Sequence, residues 1–170
     1  MAHLVLTVVG DDRPGLVNAL AEQVSASGGN WERSELAELA GAFAGIVLVS
    51  IDDDREADLV AALEGLDGML RVTVHGGRLA AAREPVERSM EVTVLGNDRP
   101  GIVRDVTAAI AAHALSIDTF RSRTLDAPMA GGTLFEAIVA FRVPAGADAA
   151  PVTAALEELA GEIQVDLTVA

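Results

Sequence analysis

Thr-Val-Val-Gly-Asp-Asp-Arg-Pro-Gly-Leu-Val occupies residues 7 to 17 of the chain, and Thr-Val-Leu-Gly-Asn-Asp-Arg-Pro-Gly-Ile-Val occupies residues 93 to 103. The two stretches share the pattern Gly-x-Asp-Arg-Pro-Gly-x-Val at a constant offset of 86 residues. A duplication at one fixed spacing indicates a repeated structural unit. The 170-residue chain is therefore expected to contain two small domains.

Each copy of the repeat changes from a strand pattern to a helix pattern. Residues 4 to 9 alternate between two sides, as a β-strand requires, and both sides are largely apolar. We therefore expect both faces of this strand to be covered, one by helices and the other by a second sheet or subunit. After the Pro-Gly pair, apolar residues recur at i, i+1, i+4 and i+8, which predicts a helix. These residues are Leu16, Val17, Leu20 and Val24 in the first copy, and Ile102, Val103, Val106 and Ile110 in the second.

Similar patterns continue through each half and complete a βαββαβ unit. Gly28-Gly29 is expected to end the first helix. The fold class predicted is α+β, with two tandem ferredoxin-like βαββαβ units, each with two helices on one face of an antiparallel sheet. The remaining predicted elements are strands at 30–39, 43–51 and 70–75 with a helix at 55–66, followed by strands at 116–125, 133–143 and 163–169 with a helix at 149–159.

The unit boundaries follow from this pattern. The first domain is expected at residues 1–76, a linker at 77–89 and the second domain at 90–170. Units of this size bury only about 60% of their surface alone, so we expect the halves to pack on each other or on another chain. The segment 126–132, between the middle strands of the second half, is expected to be mobile.

The composition excludes several classes of function. The chain has 26 acidic and 12 basic residues, a formal net charge of −14. Nucleic-acid binding relies on basic side chains that neutralise phosphates, so no direct nucleic-acid contact is expected. The chain has no cysteine, no visible signal peptide and no apolar run long enough to cross a membrane. We therefore expect a cytoplasmic protein with no membrane contact.

The repeated loop joins the first strand of each unit to its first helix and admits two interpretations. Asp12 and Asp98 are placed to cap the amide of the glycine three residues on, and the proline fits a first helical turn. In the structural interpretation, the loop is a well-capped helix start. In the functional one, Gly15 and Gly101 leave the backbone open, and the helix amides hold the carboxylate of a small anion.

These residues resemble a known family. Gly-x-Asp-Arg-Pro-Gly-[Leu/Ile]-Val between a strand and a helix of a βαββαβ unit is similar to the ACT domain, a regulatory module that binds amino acids. Two copies filling nearly the whole chain, with Gly-Gly-Asn-Trp-Glu-Arg-Ser-Glu-Leu at 28 to 36, more narrowly resemble the glycine cleavage system transcriptional repressor group.

The resemblance implies an amino-acid pocket at an interface between ACT units, within or between chains. Ser116 stands at the position equivalent to Asn30, so the second pocket is expected to be weaker or altered. Trp31 either fills part of the first pocket or belongs to the core. The implied site residues are Asp11, Asp12, Arg13, Pro14, Gly15, Leu16 and Asn30 in the first half, and Asn97, Asp98, Arg99, Pro100, Gly101 and Ile102 in the second.

Other chemistry receives little support from the residues. His3, His75 and His113 lack the spacing of metal ligands, and Asp52–Asp54 is expected to be a solvated helix cap. No metal, cofactor or catalytic grouping is therefore expected, and the protein is predicted not to be an enzyme.

Three functions remain open at this stage. In the first, the protein is a regulatory sensor of a small amino acid such as glycine or serine. It would act as a homodimer on a protein partner such as a transcription regulator. In the second, it is a structural module for assembly that has lost its ligand. In the third, it is an unrecognised enzyme with Asp11 or Asp98 as base.

Overall fold

The computed structural model describes residues 1–77, 86–126, 132–144, 150–158 and 163–169. The chain divides into two compact units, Met1–Ala81 and Ala82–Ala170. The expected linker falls mainly on residues 78–85, which lie outside the described residues, as does most of the segment 126–132. The first strand of the second unit already begins at Val86, earlier than the predicted domain start at residue 90.

Both units have the predicted βαββαβ order. The first contains β1 (Ala2–Asp11), α1 (Leu16–Ala26), β2 (Asn30–Leu39), β3 (Ala42–Ile51), a 3-10 turn at Asp53–Arg55, α2 (Glu56–Glu64) and β4 (Arg71–Gly76). The second contains β5 (Val86–Asn97), α3 (Ile102–Ala112), β6 (Ile117–Asp126), β7 (Thr133–Pro144), α4 (Ala150–Glu158) and β8 (Ile163–Val169). Predicted boundaries within the units differ from these by at most two residues at either end.

Each unit contains one four-stranded sheet. The strand orders are β2-β3-β1-β4 and β6-β7-β5-β8. Every neighbouring pair is antiparallel, so β1 lies between β3 and β4, and β5 lies between β7 and β8. This arrangement confirms the ferredoxin-like α+β fold in both halves.

The core of each unit lies between the sheet and its two helices. In the first unit, alternate side chains of β1 are buried against Leu20 of α1 and Leu59 of α2. In the second unit, Val92 and Phe141 of the sheet pack with Ile110 of α3 in the same way. Burial of each such side chain stabilises the fold by roughly 1.5–3 kcal/mol, which fixes the position of the loops at the strand ends.

One part of the predicted helix stripe is wrong. Val17 remains 43% exposed and Val103 42% exposed, although the apolar stripe of the sequence includes both. Successive helix residues point about 100° apart, so a stripe at i, i+4 and i+8 fits between the sheet and the second helix, whereas position i+1 turns away from it.

The face of the first sheet that is not covered by helices is partly exposed, because Val9 is 46% exposed and Ile46 49% exposed.

The first helix ends as the glycine pair predicts. Gly28 has a φ of +77°. Its amide donates to Ser25 at 2.9 Å, and the Gly29 amide donates to Val24 at 2.9 Å. This pair of bonds is the Schellman arrangement, which requires a left-handed residue at the position of Gly28.

Among the described residues, no helix is long and apolar enough to span a bilayer.

Candidate functional site

The two repeated loops begin their helices through glycine. Helix α1 begins at Leu16 after Gly15, whose φ is +93°, and α3 begins at Ile102 after Gly101, whose φ is +88°. Neither helix start has a side-chain capping hydrogen bond within the described part of the chain. The left-handed conformation at both positions explains why glycine occupies them.

The expected capping by aspartate is therefore wrong. Because the glycine itself precedes the first helical residue, an aspartate three positions earlier lies outside the N-cap position. The prolines likewise precede the helices and do not lie in their first turns. The backbone amides of the two aspartates serve another purpose: Asp12 donates to the carbonyl of Gly41 at 2.9 Å, and Asp98 donates to Thr133 at 2.8 Å.

Both helix starts are accessible, but to different degrees. A Cβ atom placed on Gly15 would meet nothing within 4 Å, whereas one on Gly101 would lie 3.3 Å from Nη2 of Arg104. The first amides of a helix have no acceptor within the helix, and they carry the positive end of its dipole. These two starts can therefore accept a carboxylate, and the first is the more open.

The arginines of the repeated loops make different contacts. Arg13 donates through Nη2 to the carbonyl of Gly68, at 2.9 Å, in the loop between α2 and β4. Arg99 donates through Nη1 to Oδ2 of Asp105 in α3, at 2.7 Å. Asp105 also accepts from Arg104. The hydrogen bonds from Arg99 and then Arg104 lower the pKa of the Asp105 carboxyl.

We expect Arg99→Ala to raise the pKa of Asp105 toward its ordinary value. A carboxyl whose pKa is lowered on folding stabilises the folded state above its ordinary pKa, and this contribution disappears as the pH falls through the lowered value. The measurement is an NMR titration of the Asp105 side-chain carbon. Arg104→Ala should raise the pKa less, because Arg99 makes the largest contribution. An unchanged pKa in Arg99→Ala would contradict the described pairing.

Asn30 is not brought together with the helix start of its own unit. In the sheet, Asn30 pairs with Ser50, which pairs with His3, whereas Asp11 pairs with Ala42 at the other end. His3 and Asp11 are eight positions apart on β1, a distance of about 26 Å at about 3.3 Å per residue. Ser116 precedes β6 at the corresponding end of the second unit.

The side chains of two other predicted site residues lie in the core. Leu16 and Ile102 are buried, so Leu16 can offer only its backbone amide to a ligand, whereas the Ile102 amide already donates to the carbonyl of Arg99 at 3.3 Å. Trp31 is half-buried and packs against the first hydrophobic core, which supports its interpretation as a core residue. The remaining predicted residues are exposed and lie at the end of the first strand of each unit and in the loop that follows it: Asp11, Asp12, Arg13, Pro14 and Gly15 in the first unit, and Asn97, Asp98, Arg99, Pro100 and Gly101 in the second.

A cavity of about 410 Å³ lies beside the first loop. It combines Asp11 and Arg13 with Asp67, Met69 and Arg71 from the segment that leads into β4. The last three residues carry no repeated motif that could single them out in the sequence, and only the fold topology brings them to the end of β1. No group of three metal-ligating side chains occurs in the described ranges.

Comparisons with known proteins agree with this architecture. The ACT domain family model matches residues 2–76. The chain is 32% identical over 162 residues to the glycine cleavage system transcriptional repressor of Escherichia coli (strain K12), which covers 95% of the chain and 85% of the relative. The chain therefore belongs to the ACT-domain family, in the group of the glycine cleavage system transcriptional repressor.

Two solved structures have the same fold over nearly the whole chain. A protein from Galdieria sulphuraria, described only as unknown, gives a TM-score of 0.86 with 31% identity and covers 99% of this chain and 98% of its own. A structure provisionally described as a glycine cleavage system transcriptional repressor gives a TM-score of 0.70 with 21% identity and covers 99% and 97%. The second likeness supports the fold alone.

Proposed function

We propose that this chain is a non-enzymatic regulatory protein that binds a small amino acid, such as glycine or serine, and thereby changes its affinity for a protein partner. The observation that carries the proposal is the pair of glycine-opened helix starts at Gly15 and Gly101. The name of the Escherichia coli relative, a transcriptional repressor, supports a regulatory role. With a net charge of −14, any effect on transcription is expected to be indirect, through a protein.

In the proposed complex, the ligand carboxylate accepts hydrogen bonds from the first amides of α1. An amide side chain such as that of Asn30 suits both groups of a zwitterion, since it carries donors and an acceptor. Asn30 lies at the end of its own sheet opposite to the start of α1. We therefore propose that each pocket combines the start of α1 from one ACT unit with the Asn30 side chain of a second unit, which lies antiparallel to the first. A C2 homodimer is the simplest assembly that provides this arrangement.

Regulation requires more than binding. A ligand shifts an equilibrium only if it binds one state more tightly than the other. We propose that the occupied site favours one assembly of the ACT units, and that the partner protein distinguishes this assembly from the empty one.

We expect saturable binding of glycine or serine by isothermal titration calorimetry. A ligand at a hundredfold excess over its Kd should raise the free energy of unfolding by about 2.7 kcal/mol, because it binds only the folded chain. Thermal unfolding with and without the amino acid measures this effect. No heat and no thermal shift with any standard amino acid at millimolar concentration would contradict the proposal.

A second function, a ligand-free module for assembly, is favoured by a different observation. Val9 and Ile46 leave an apolar region exposed on the open face of the first sheet. Large exposed apolar regions commonly mark interaction surfaces. Light scattering at micromolar concentration tests this alternative, and a monodisperse monomer would count against it.

A further inference from the structure

A groove of about 440 Å³ lies on the surface of α2 and includes no residue of the repeated loops. All the residues that line it come from this helix and from the 3-10 turn before it. Their spacing of three or four positions places them on one side of the helix, whereas Leu59 and Leu63 are buried in the core. The lining residues are Asp53, Glu56, Ala57, Val60, Ala61 and Glu64.

The middle of this groove is apolar and formed by small side chains. Ala57 and Ala61 are exposed, and Val60 is half-buried. The outer face of a surface helix usually carries polar or charged residues instead. Because alanine side chains are short, a second helix can approach α2 here at the lower end of the usual interaxial distances, about 8–10 Å.

Carboxylates lie on both sides of this apolar centre. Glu56 and Glu64 are the first and last residues of α2, which places them about 12 Å apart along the helix axis. Within the described ranges, neither makes a side-chain hydrogen bond or ion pair. Arg55 precedes the helix, but its guanidinium lies against Gly28 at the end of α1.

A cation already contacts one end of the groove. The amino terminus of Met1 donates to Oδ2 of Asp53 at 2.8 Å. This hydrogen bond, together with the charge of the neighbouring aspartates, raises the pKa of the Met1 ammonium. The surface at the start of α2 therefore favours positive groups, and Glu56 and Glu64 remain available to a partner.

The composition argues against a second copy of this chain as the occupant. The sequence contains no lysine, and helices α1 to α4, as the structure describes them, carry a single arginine, Arg104 of α3. That arginine already pairs with Asp105. A helix with basic side chains on both sides of small apolar ones must therefore come from another protein.

The corresponding helix of the second unit has a different surface. The buried residues Leu59 of α2 and Val152 of α4 occupy equivalent positions, so Thr153 stands where the first unit has Val60. A polar residue thus replaces the apolar centre, and the groove is a feature of the first unit.

We propose that this face of α2 is the docking surface for an amphipathic helix of the protein partner, with lysine or arginine about eight positions apart and small apolar residues between them. The apolar residues of that helix pack on Ala57, Val60 and Ala61, and its basic side chains pair with Glu56 and Glu64. This inference rests on the function proposed above only for the existence of a protein partner.

Backbone NMR of the full chain tests the proposal with a synthetic helical peptide as the probe. The peptide has about 18 residues, with alanine and leucine along one face, two lysines about eight positions apart on that face, and glutamine elsewhere. We expect saturable shifts at the amides of residues 53–64, and binding that weakens as salt is added.

A second peptide separates this docking from general attraction to an acidic chain. It has the same composition, in an order that places the lysines and leucines on opposite faces. We expect it to bind at least about tenfold more weakly than the first peptide. Equal binding of the two peptides, or shifts confined to residues outside 53–64, would overturn the proposal.

Matched variants test the carboxylates. Glu56→Gln with Glu64→Gln should weaken binding of the first peptide at least about tenfold. Glu157→Gln with Glu158→Gln removes the same charge from two exposed residues of α4 and should leave binding unchanged. The thermal unfolding midpoint checks that each variant remains folded. Undiminished binding by the α2 variant would overturn the proposal.

Ala61→Gln tests the apolar centre without changing the charge. Glutamine is a good helix former, so α2 is retained, but its longer side chain prevents close approach of the peptide helix. We expect at least about tenfold weaker binding. Normal binding by this variant would contradict helix packing on Ala61.

Titrations with amino acids distinguish this surface from the function proposed above. Peptide binding at residues 53–64, without binding of any amino acid, supports the surface and contradicts that function. Binding of glycine or serine without peptide binding leaves the amino-acid response standing and overturns the surface. No binding of either kind overturns both.

Discussion

Replacing Phe141 with alanine is expected to lower the free energy of unfolding by about 3–5 kcal/mol. Phe141 is fully buried in the second core. It lies on β7 opposite Met90 of β5 and Ile117 of β6. The substitution removes the ring from a closely packed interior, and strands on both sides restrict the collapse that could refill the space. Urea unfolding followed by circular dichroism measures the loss.

The control for this change is Ile46→Ala. Ile46 is also a large apolar residue of a central strand, but it is 49% exposed. Its truncation is expected to lower the free energy of unfolding by less than about 1 kcal/mol, because the substitution removes little buried apolar surface and leaves no cavity. Equal losses of unfolding free energy in the two variants would contradict the burial of Phe141 in the second core.

Gly15→Ala is expected to weaken amino-acid binding by at least about tenfold, which corresponds to about 1.4 kcal/mol. The added methyl group would occupy the open space beside the helix start, where the proposed carboxylate approaches the first amides. The φ of +93° also strains any residue with a Cβ atom, at about 1–2 kcal/mol. Calorimetry with glycine or serine measures the change in affinity.

Gly41→Ala is the control that separates backbone strain at a positive φ from steric exclusion of the ligand by the added methyl group. Gly41 has a φ of +83°, and a Cβ atom there would also meet nothing within 4 Å. It lies in the turn between β2 and β3, so we expect the same loss of stability and a smaller loss of affinity, which reaches the site only through the hydrogen bond from the Asp12 amide to the Gly41 carbonyl. If both variants bind normally, the carboxylate does not lie at the start of α1.

The repeat and the apolar periodicity were sufficient to predict the fold. Strands and helices depend on local patterns, and the two copies independently indicate the same order of elements. The misassigned Val17 shows the limit of this reasoning: periodicity locates a buried stripe, but the width of the stripe depends on what packs against it.

The candidate site was less predictable than the fold. The motif located the exposed loops but placed the helix starts too early, because the left-handed conformation of Gly15 and Gly101 is not visible in the residue order. The resemblance implies one pocket for Asn30 and Gly15, and the sheet register places Asn30 at the opposite end of its own unit from that helix start, so the two can meet only across an interface between units. Asp67, Met69 and Arg71 were missed because their proximity to Asp11 depends on a crossover between distant segments.

The two halves also differ in ways that the shared motif conceals. Arg13 contacts the loop before β4, whereas Arg99 contacts its own helix. Arg104 lies close to Gly101, and nothing comparable lies near Gly15. We therefore expect a ligand to occupy the first unit at lower concentration than the second.

The hydrogen bonds from Asp12 to Gly41 and from Asp98 to Thr133 bear on ligand affinity. Each bond holds one end of a repeated loop against the neighbouring hairpin, and the glycine-capped helix holds the other end. Most of the loop's conformational entropy is thus lost during folding, before any metabolite arrives. A small ligand then binds a preorganised surface, and its few contacts do not have to offset the ordering of a flexible segment.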